Sequence, residues 1–361
     1  MIEGLYIHVP FCHYKCFYCD FVSFVLEPQE EYLDLILKEI QLYSDLEFSL
    51  RTVYFGGGTP SLIKPSWYKS FFEKLSKLVD LSRVVEVSIE CNPEDYSYDD
   101  YRELLDIGFN RLSIGAQSFT KKGLSALGRR HEPSDVIKAV EQAHKAGFEN
   151  ISVDIIYGYE GQTLKDLEED ISFVLSLPVK HASFYMLTPY EDTILGHMYS
   201  EGRISLPDAD LLADMFMTIS ERLSAFGFVH YEISNYALPG YECKHNILYW
   251  THGEFLGLGV SAWSFAKNVR WGNTKNINLY RQKILEGERP IYQREVLEGK
   301  ELVKDYLFVA LRTSLGVPED YKTYIPEELM EFFVHEGGRI RLTERGMLLF
   351  NSIYEKIATG L

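Results

Sequence analysis

Positive charge is in short supply. Against 53 Asp and Glu the chain carries only 36 Lys and Arg, a formal net charge of −17, and a protein that binds nucleic acid by neutralising phosphates needs the opposite balance. The deficit disfavours nucleic acid as a partner and an electrostatic membrane anchor with it. No run of 18 or more apolar residues occurs, so no transmembrane helix is expected. The opening Met1-Ile-Glu-Gly-Leu-Tyr-Ile-His-Val-Pro10 shows no basic stretch followed by an apolar one. A secretory leader is therefore not expected, and the cytoplasm is the expected compartment. Cysteine is scarce and odd in number, five in 361 residues. Three of the five fall in one short segment, which makes a poor disulfide framework and a good metal site.

What remains is an ordinary globular composition, 46% apolar and 25% charged, in a chain long enough to bury a sizeable core. Short β-rich runs at Leu5–Val9, Thr52–Phe55, Val84–Glu90, Arg111–Gln117, Ile151–Tyr157 and Ala182–Leu187 read as strands. Each is nearly continuous in apolar residues, as strands covered on both faces should be. Helix-period stripes alternate with them: Leu33, Ile36, Leu37 and Ile40, then Trp67, Phe71, Leu75 and Leu78. Tyr101, Leu104 and Leu105 follow, then Val136, Ile137, Val140 and Ala143. Thr163 with Asp166 forms a capping box. Successive β–α units predict an α/β fold, a parallel (β/α) barrel whole or partial, with its site at the strand C-terminal ends. The expected division is a barrel core over 1–227, a β-rich segment over 228–298 and a small, mainly helical, winged-helix-like domain over 299–361. In that last part Thr343 caps a helix after a short strand. Acidic residues outnumber basic ones there, against a DNA-reading role.

Cys12-His-Tyr-Lys-Cys16-Phe-Tyr-Cys19 has the spacing C-x3-C-x2-C and follows the first strand. Three thiolates in one short loop can ligate three irons of a cubane and leave the fourth open to a small molecule. Zinc wants four closed ligands, and His13, inside the loop, is badly placed to be the fourth. The segment Tyr6-Ile-His-Val-Pro-Phe-Cys12 through Cys19-Asp-Phe21 resembles the radical S-adenosylmethionine (SAM) superfamily, and within it the coproporphyrinogen-dehydrogenase-like branch. The resemblance implies a [4Fe–4S] cluster on Cys12, Cys16 and Cys19 whose open iron chelates SAM. It also implies an electron donor that reduces the cluster for cleavage of the SAM sulfonium. Phe55-Gly56-Gly57-Gly58-Thr59-Pro60 matches the element that meets the SAM methionine moiety, so Gly57, Gly58 and Thr59 become implied contacts. Tyr6, Tyr18, Glu90, Gln117, Arg129 and Asp154 are implied SAM contacts by the same matching, with Tyr18 near the adenine and Glu90 on the ribose hydroxyls.

Two groups of that branch compete. One oxidatively decarboxylates coproporphyrinogen III without oxygen; the other binds haem and hands it to acceptor proteins. The oxidase group typically continues the triplet with a fourth cysteine, where this chain has Phe21. The haem-transferring group carries an HNxxYW element, matched here by His245-Asn-Ile-Leu-Tyr249-Trp250. The second group is favoured, with His245 as an implied haem ligand and Cys243 as a weaker thiolate alternative. Haem and haem-acceptor proteins are the implied partners, and a homodimer is left open. One departure from the branch is Tyr159-Glu160, where a Leu-Pro pair is usual.

Overall fold

The computed structural model describes residues 1–361. Six parallel strands, each followed by helical chain, occupy the expected positions: β1 (Ile2–Val9), β2 (Phe48–Gly57), β3 (Glu86–Cys91), β4 (Arg111–Gln117), β5 (Asn150–Tyr157) and β6 (His181–Met186). They lie side by side in chain order at the centre of a 12-stranded sheet. The helices that cover the outer face begin with α1 (Glu30–Gln41), α2 (Pro65–Leu75) and α3 (Tyr98–Ile107), followed by α4 (Pro133–Ala146), α5 (Leu164–Ser176) and α6 (Ala209–Ala225). α1 buries Leu33, Ile36, Leu37 and Ile40. The capping box at Thr163 and Asp166 is formed. Leu78 of the second stripe falls beyond the end of α2 and is exposed.

The strands are buried on both faces, yet they are not uniformly apolar. Leu5, Ile7, Val53, Phe55, Val87, Ile89, Leu112, Ile114, Val153 and Ile155 join the main apolar core with the helices. The alternate positions carry Tyr6, His8, Thr52, Tyr54, Glu86, Ser88, Glu90, Arg111, Ser113, Ser152 and Asp154. Side chains one residue apart point to opposite faces of a strand, so the inner face of the sheet is polar. Residues from the ends of β2 to β6 line one cavity, so the sheet is rolled. It is not closed by pairing, because separate antiparallel strands form its two edges. A partial barrel is the result.

Residues 228–298 extend this sheet. β7 (Val229–Glu232) and β8 (Asn235–Ala237) add to β6, and β9 (Phe255–Leu258) pairs in parallel with β1 on the far side. β10 (Trp263–Ala266), β11 (Val269–Asn273) and β12 (Ile291–Val296) continue antiparallel from β9. Leu256, Leu258, Trp271 and Tyr280 sit in the same core as β1. The short helix α7 (Lys244–Trp250) lies between β8 and β9 in the chain. The tail has a core of its own, with Leu307, Leu311, Ile340, Leu342, Phe350 and Ile357 packed around Phe216 of the barrel. It mixes helices with a three-stranded sheet, and Thr343 caps its helix by accepting from Gly346 N–H at 3.0 Å. Arg312 ties the tail to the barrel through Glu232, 2.9 Å away. No helix is long and apolar enough to cross a membrane.

Candidate cofactor site

The strand C-terminal ends open onto a cavity of about 440 Å³ lined by Cys12, Cys16 and Cys19 together with Tyr18, Gly57, Gly58, Thr59, Glu90, Gln117, Arg129 and Asp154. Eleven residues from six separate segments of the chain are thus brought together. The cysteine loop is tied at both ends and in the middle. Phe11–Cys12 pairs with Phe24–Val25, Lys15 Nζ donates to Ser23 Oγ at 3.0 Å, and Phe17 N–H and C=O bond Leu127 and Leu195. Arg130 stacks over the Tyr14 ring at 4.3 Å. The loop is therefore a built wall.

The cysteines do not converge with other groups on a single ion site. A cubane does not require that, since each thiolate takes a different iron. The donors around them suit anionic sulfur. Thr59 Oγ1 donates to Cys12 Sγ at 3.5 Å, and Arg129 Nη1 reaches Cys16 Sγ at 3.6 Å. Arg129 is held by Asn92 Oδ1 at 2.9 Å and the Gly115 carbonyl at 3.2 Å, while its Nε is buried without a partner. Burial alone would lower its pKa, but facing Tyr18 and Cys16 more than offset that, so the guanidinium stays charged. The unpartnered Nε, the half-buried thiols and the adjacent cavity fit a bound cluster with an anionic ligand beside it.

The glycine run is dictated by crowding. A Cβ at Gly57, which has φ +110°, would lie 2.5 Å from the His8 ring, and one at Gly58 would lie 2.7 Å from the Phe11 carbonyl oxygen. Gly57 N–H donates to Glu90 Oε2 at 3.1 Å, and Tyr54 Oη–H donates to Oε1 at 2.9 Å. Burial first, then Asp154 nearby, pushes the Glu90 carboxyl up to about 7. Asp154 is raised mainly by burial as well, and it accepts from Ser113 Oγ at 3.0 Å. Gln117 ends β4 with φ +64° after a bulge. That left-handed turn for a non-glycine residue is what aims its side chain into the mouth.

Two expectations are corrected by location. Tyr6 does not line the cavity; its hydroxyl lies 3.2 Å from His8 Nδ1 and its ring stacks on Tyr54, one layer beneath. His245 lies away from the mouth, toward the strand N-terminal ends, at the level where Gly4, Thr52 and Glu86 stand side by side in the sheet. It is 1% exposed, with Nδ1 2.7 Å from Thr52 Oγ1 and Nε2 2.6 Å from Tyr249 Oη. Its one lone pair is used, and no porphyrin can reach it as the chain is folded. Cys243, fully buried, has its thiol pushed up to about 12 by burial, which removes the thiolate alternative. Sequence reasoning missed Asn92 and Ser113, which hold Arg129 and Asp154; Asn92 lies two residues after Glu90, but Ser113 is four residues before Gln117 and carried no signal of its own. Tyr159 of the divergent loop is buried, so it replaces an apolar residue by packing.

A rolled parallel sheet that carries three cysteines, a glycine run and buried carboxylates at one mouth defines a radical SAM protein, and residues 6–174 match the family model described as the radical SAM superfamily. Haem chaperone HemW of Lactococcus lactis is 33% identical over 98% of this chain and 97% of its own length. HemW of Bacillus subtilis is 31% identical over 98% of each, and that of Escherichia coli 30% over 98% and 97%. The chain belongs to the HemW family. In fold it is similar to coproporphyrinogen III oxidase HemN of Escherichia coli, with a TM-score of 0.82 at 22% identity over 100% of this chain and 91% of that one.

Proposed function

We propose that this chain is a haem chaperone that holds a [4Fe–4S] cluster and SAM at the barrel mouth and passes haem to an acceptor protein in the cytoplasm. The full-length similarity to curated haem chaperones carries this reading. The HemN-like fold alone would serve equally for an oxidase, but Phe21, 61% exposed at the cavity, stands where that group's fourth cysteine is expected.

Cys12, Cys16 and Cys19 would hold the cluster, which with SAM supplies one-electron chemistry when bound. The chain's own residues orient and seal. Arg129 neutralises the cysteine loop; Gly57 and Gly58 admit a ligand to the backbone; Glu90 and Asp154 offer acceptors to hydroxyl or ammonium groups. Tyr185, Met186 and Tyr190 line the same mouth with exposed apolar surface, a face suited to a flat macrocycle. These, and not His245, are the proposed seat of haem.

The test is to incubate anaerobically reconstituted protein with coproporphyrinogen III, SAM and reductant, beside a haem titration and transfer to an apo-acceptor. Haem uptake and transfer with no porphyrinogen conversion is expected. Protoporphyrinogen formed over many turnovers would return the chain to the oxidase group.

A further inference from the structure

The motif helix α7 does not line the cavity, but its His245 ring stacks on Tyr54 and Tyr6 beneath the cavity wall. We propose that His245 is a positioning residue that sets the Glu90 carboxylate for SAM from beneath, acting through Tyr54. The inference rests on the reading that SAM occupies the cavity.

The helix is fastened to the barrel floor. Glu86, on the same strand and face as Glu90, accepts from Lys244 N–H and His245 N–H, each at 3.0 Å. Gly4 lets the helix approach, because a Cβ there would lie 2.6 Å from Leu248 Cδ2 and 3.1 Å from His245 Cε1. The His245 ring is then locked at both nitrogens by Thr52 and Tyr249. It stacks on Tyr54 with centroids 5.2 Å apart and an interplanar angle of 22°. Tyr6 flanks Tyr54 at 6.1 Å and 26°, so the Tyr54 ring is held between neighbours and its hydroxyl is delivered to Glu90 Oε1 at 2.9 Å.

Glu90 has two donors, Gly57 N–H from the cavity wall and Tyr54 Oη–H from below. Removing either leaves one oxygen of a buried carboxylate free to turn. Burial lowers the His245 pKa to about 3, so the ring is a neutral stacking partner. A phenyl ring could stack there but could not bond Thr52 and Tyr249, and the orientation of Tyr54 would loosen.

The full chain, reconstituted anaerobically, would be titrated with SAM by calorimetry as wild type, Tyr54→Phe, His245→Phe and the double variant. Iron content and haem Soret spectra would be recorded for each. A hydrogen bond to a charged group sets the expected loss of SAM affinity at about tenfold for each single variant. Because His245 acts through Tyr54, His245→Phe should cost no more than about twofold further in the Tyr54→Phe background. Iron content and haem binding should not change. His245→Gln serves as the second variant should His245→Phe fail to fold. Unchanged SAM affinity in the His245 variant, or losses that multiply in the double variant, overturns the relay; so does loss of haem with SAM affinity intact. A wild-type chain that binds no SAM overturns the assignment of the cavity and this inference with it.

Discussion

Gly57→Ala is the substitution whose cost the structure specifies most fully. Two penalties add at this position. The residue has φ +110°, a left-handed conformation that an L side chain adopts at about 1–2 kcal/mol. The new methyl would also sit 2.5 Å from His8 Cε1 and Nδ1, and His8 cannot turn away, because Nε2 is 2.8 Å from the Val22 carbonyl and Nδ1 is 3.2 Å from Tyr6 Oη. Overpacking of this kind costs about 1–3 kcal/mol. Gly108→Ala separates the terms, since Gly108 has φ +115° but nothing within 4 Å of its Cβ position. Its cost should therefore be the conformational part alone. Urea unfolding of both variants beside wild type, with SAM titration of each, is the assay. Gly57→Ala should be the less stable by about 1–3 kcal/mol and should lose SAM binding, whereas Gly108→Ala should retain it. Equal unfolding midpoints for the two variants would refute the claim that crowding against His8 dictates this glycine.

Replacing Cys12, Cys16 or Cys19 by Ser should each abolish most of the reconstituted iron and sulfide, read by metal analysis and visible absorption; zinc in place of iron in anaerobically prepared protein would refute the cluster. Arg129→Met removes the donors to Asn92 and Gly115 and the charge beside Cys16, so SAM affinity should fall at least about tenfold; an unchanged calorimetric Kd would clear Arg129 of any cofactor role. Burial pushes the Glu39 carboxyl up to about 7 from its usual 4.5, against donors from Tyr280, Gly259 and Asn273. The folded state then holds the proton more tightly than the unfolded state. This contribution is present below about pH 4.5 and lost as pH rises through about 7, about 3 kcal/mol in all. Glu39→Gln should flatten the fall in stability between pH 5 and 7.5 relative to wild type; parallel urea midpoints across that window would show that Glu39 does not titrate there.

The six strands, the helix stripes and the cysteine loop were legible because each rests on local physics: apolar runs, 3.6-residue spacing, and three thiols placed just after a strand. The polar lining of the barrel was harder to see. Thr52, Tyr54, Glu86, Ser88 and Glu90 alternate with Val53, Phe55, Val87 and Ile89, a period of two that marks one polar and one apolar face. In strands this short, the small and aromatic polar residues pass for apolar ones. Of the tail's three-stranded sheet only β15 (Arg339–Leu342), which leads into the Thr343-capped helix, stood out, since β13 (Val317–Pro318) and β14 (Phe333–Glu336) are brief.

The location of His245 was illegible for a different reason. A motif announces that its residues act together, but not at which end of a barrel they act. The end is set by contacts remote in sequence: Glu86 captures the helix N-terminus, Gly4 yields it room, and Arg312 lies over the Trp250 ring at 5.1 Å while holding Glu232. These make α7 a wedge between the barrel floor and the tail. Its histidine faces the underside of the cavity wall and its tryptophan faces the module behind, so a substitution in the motif can disturb the SAM site without touching any bound molecule.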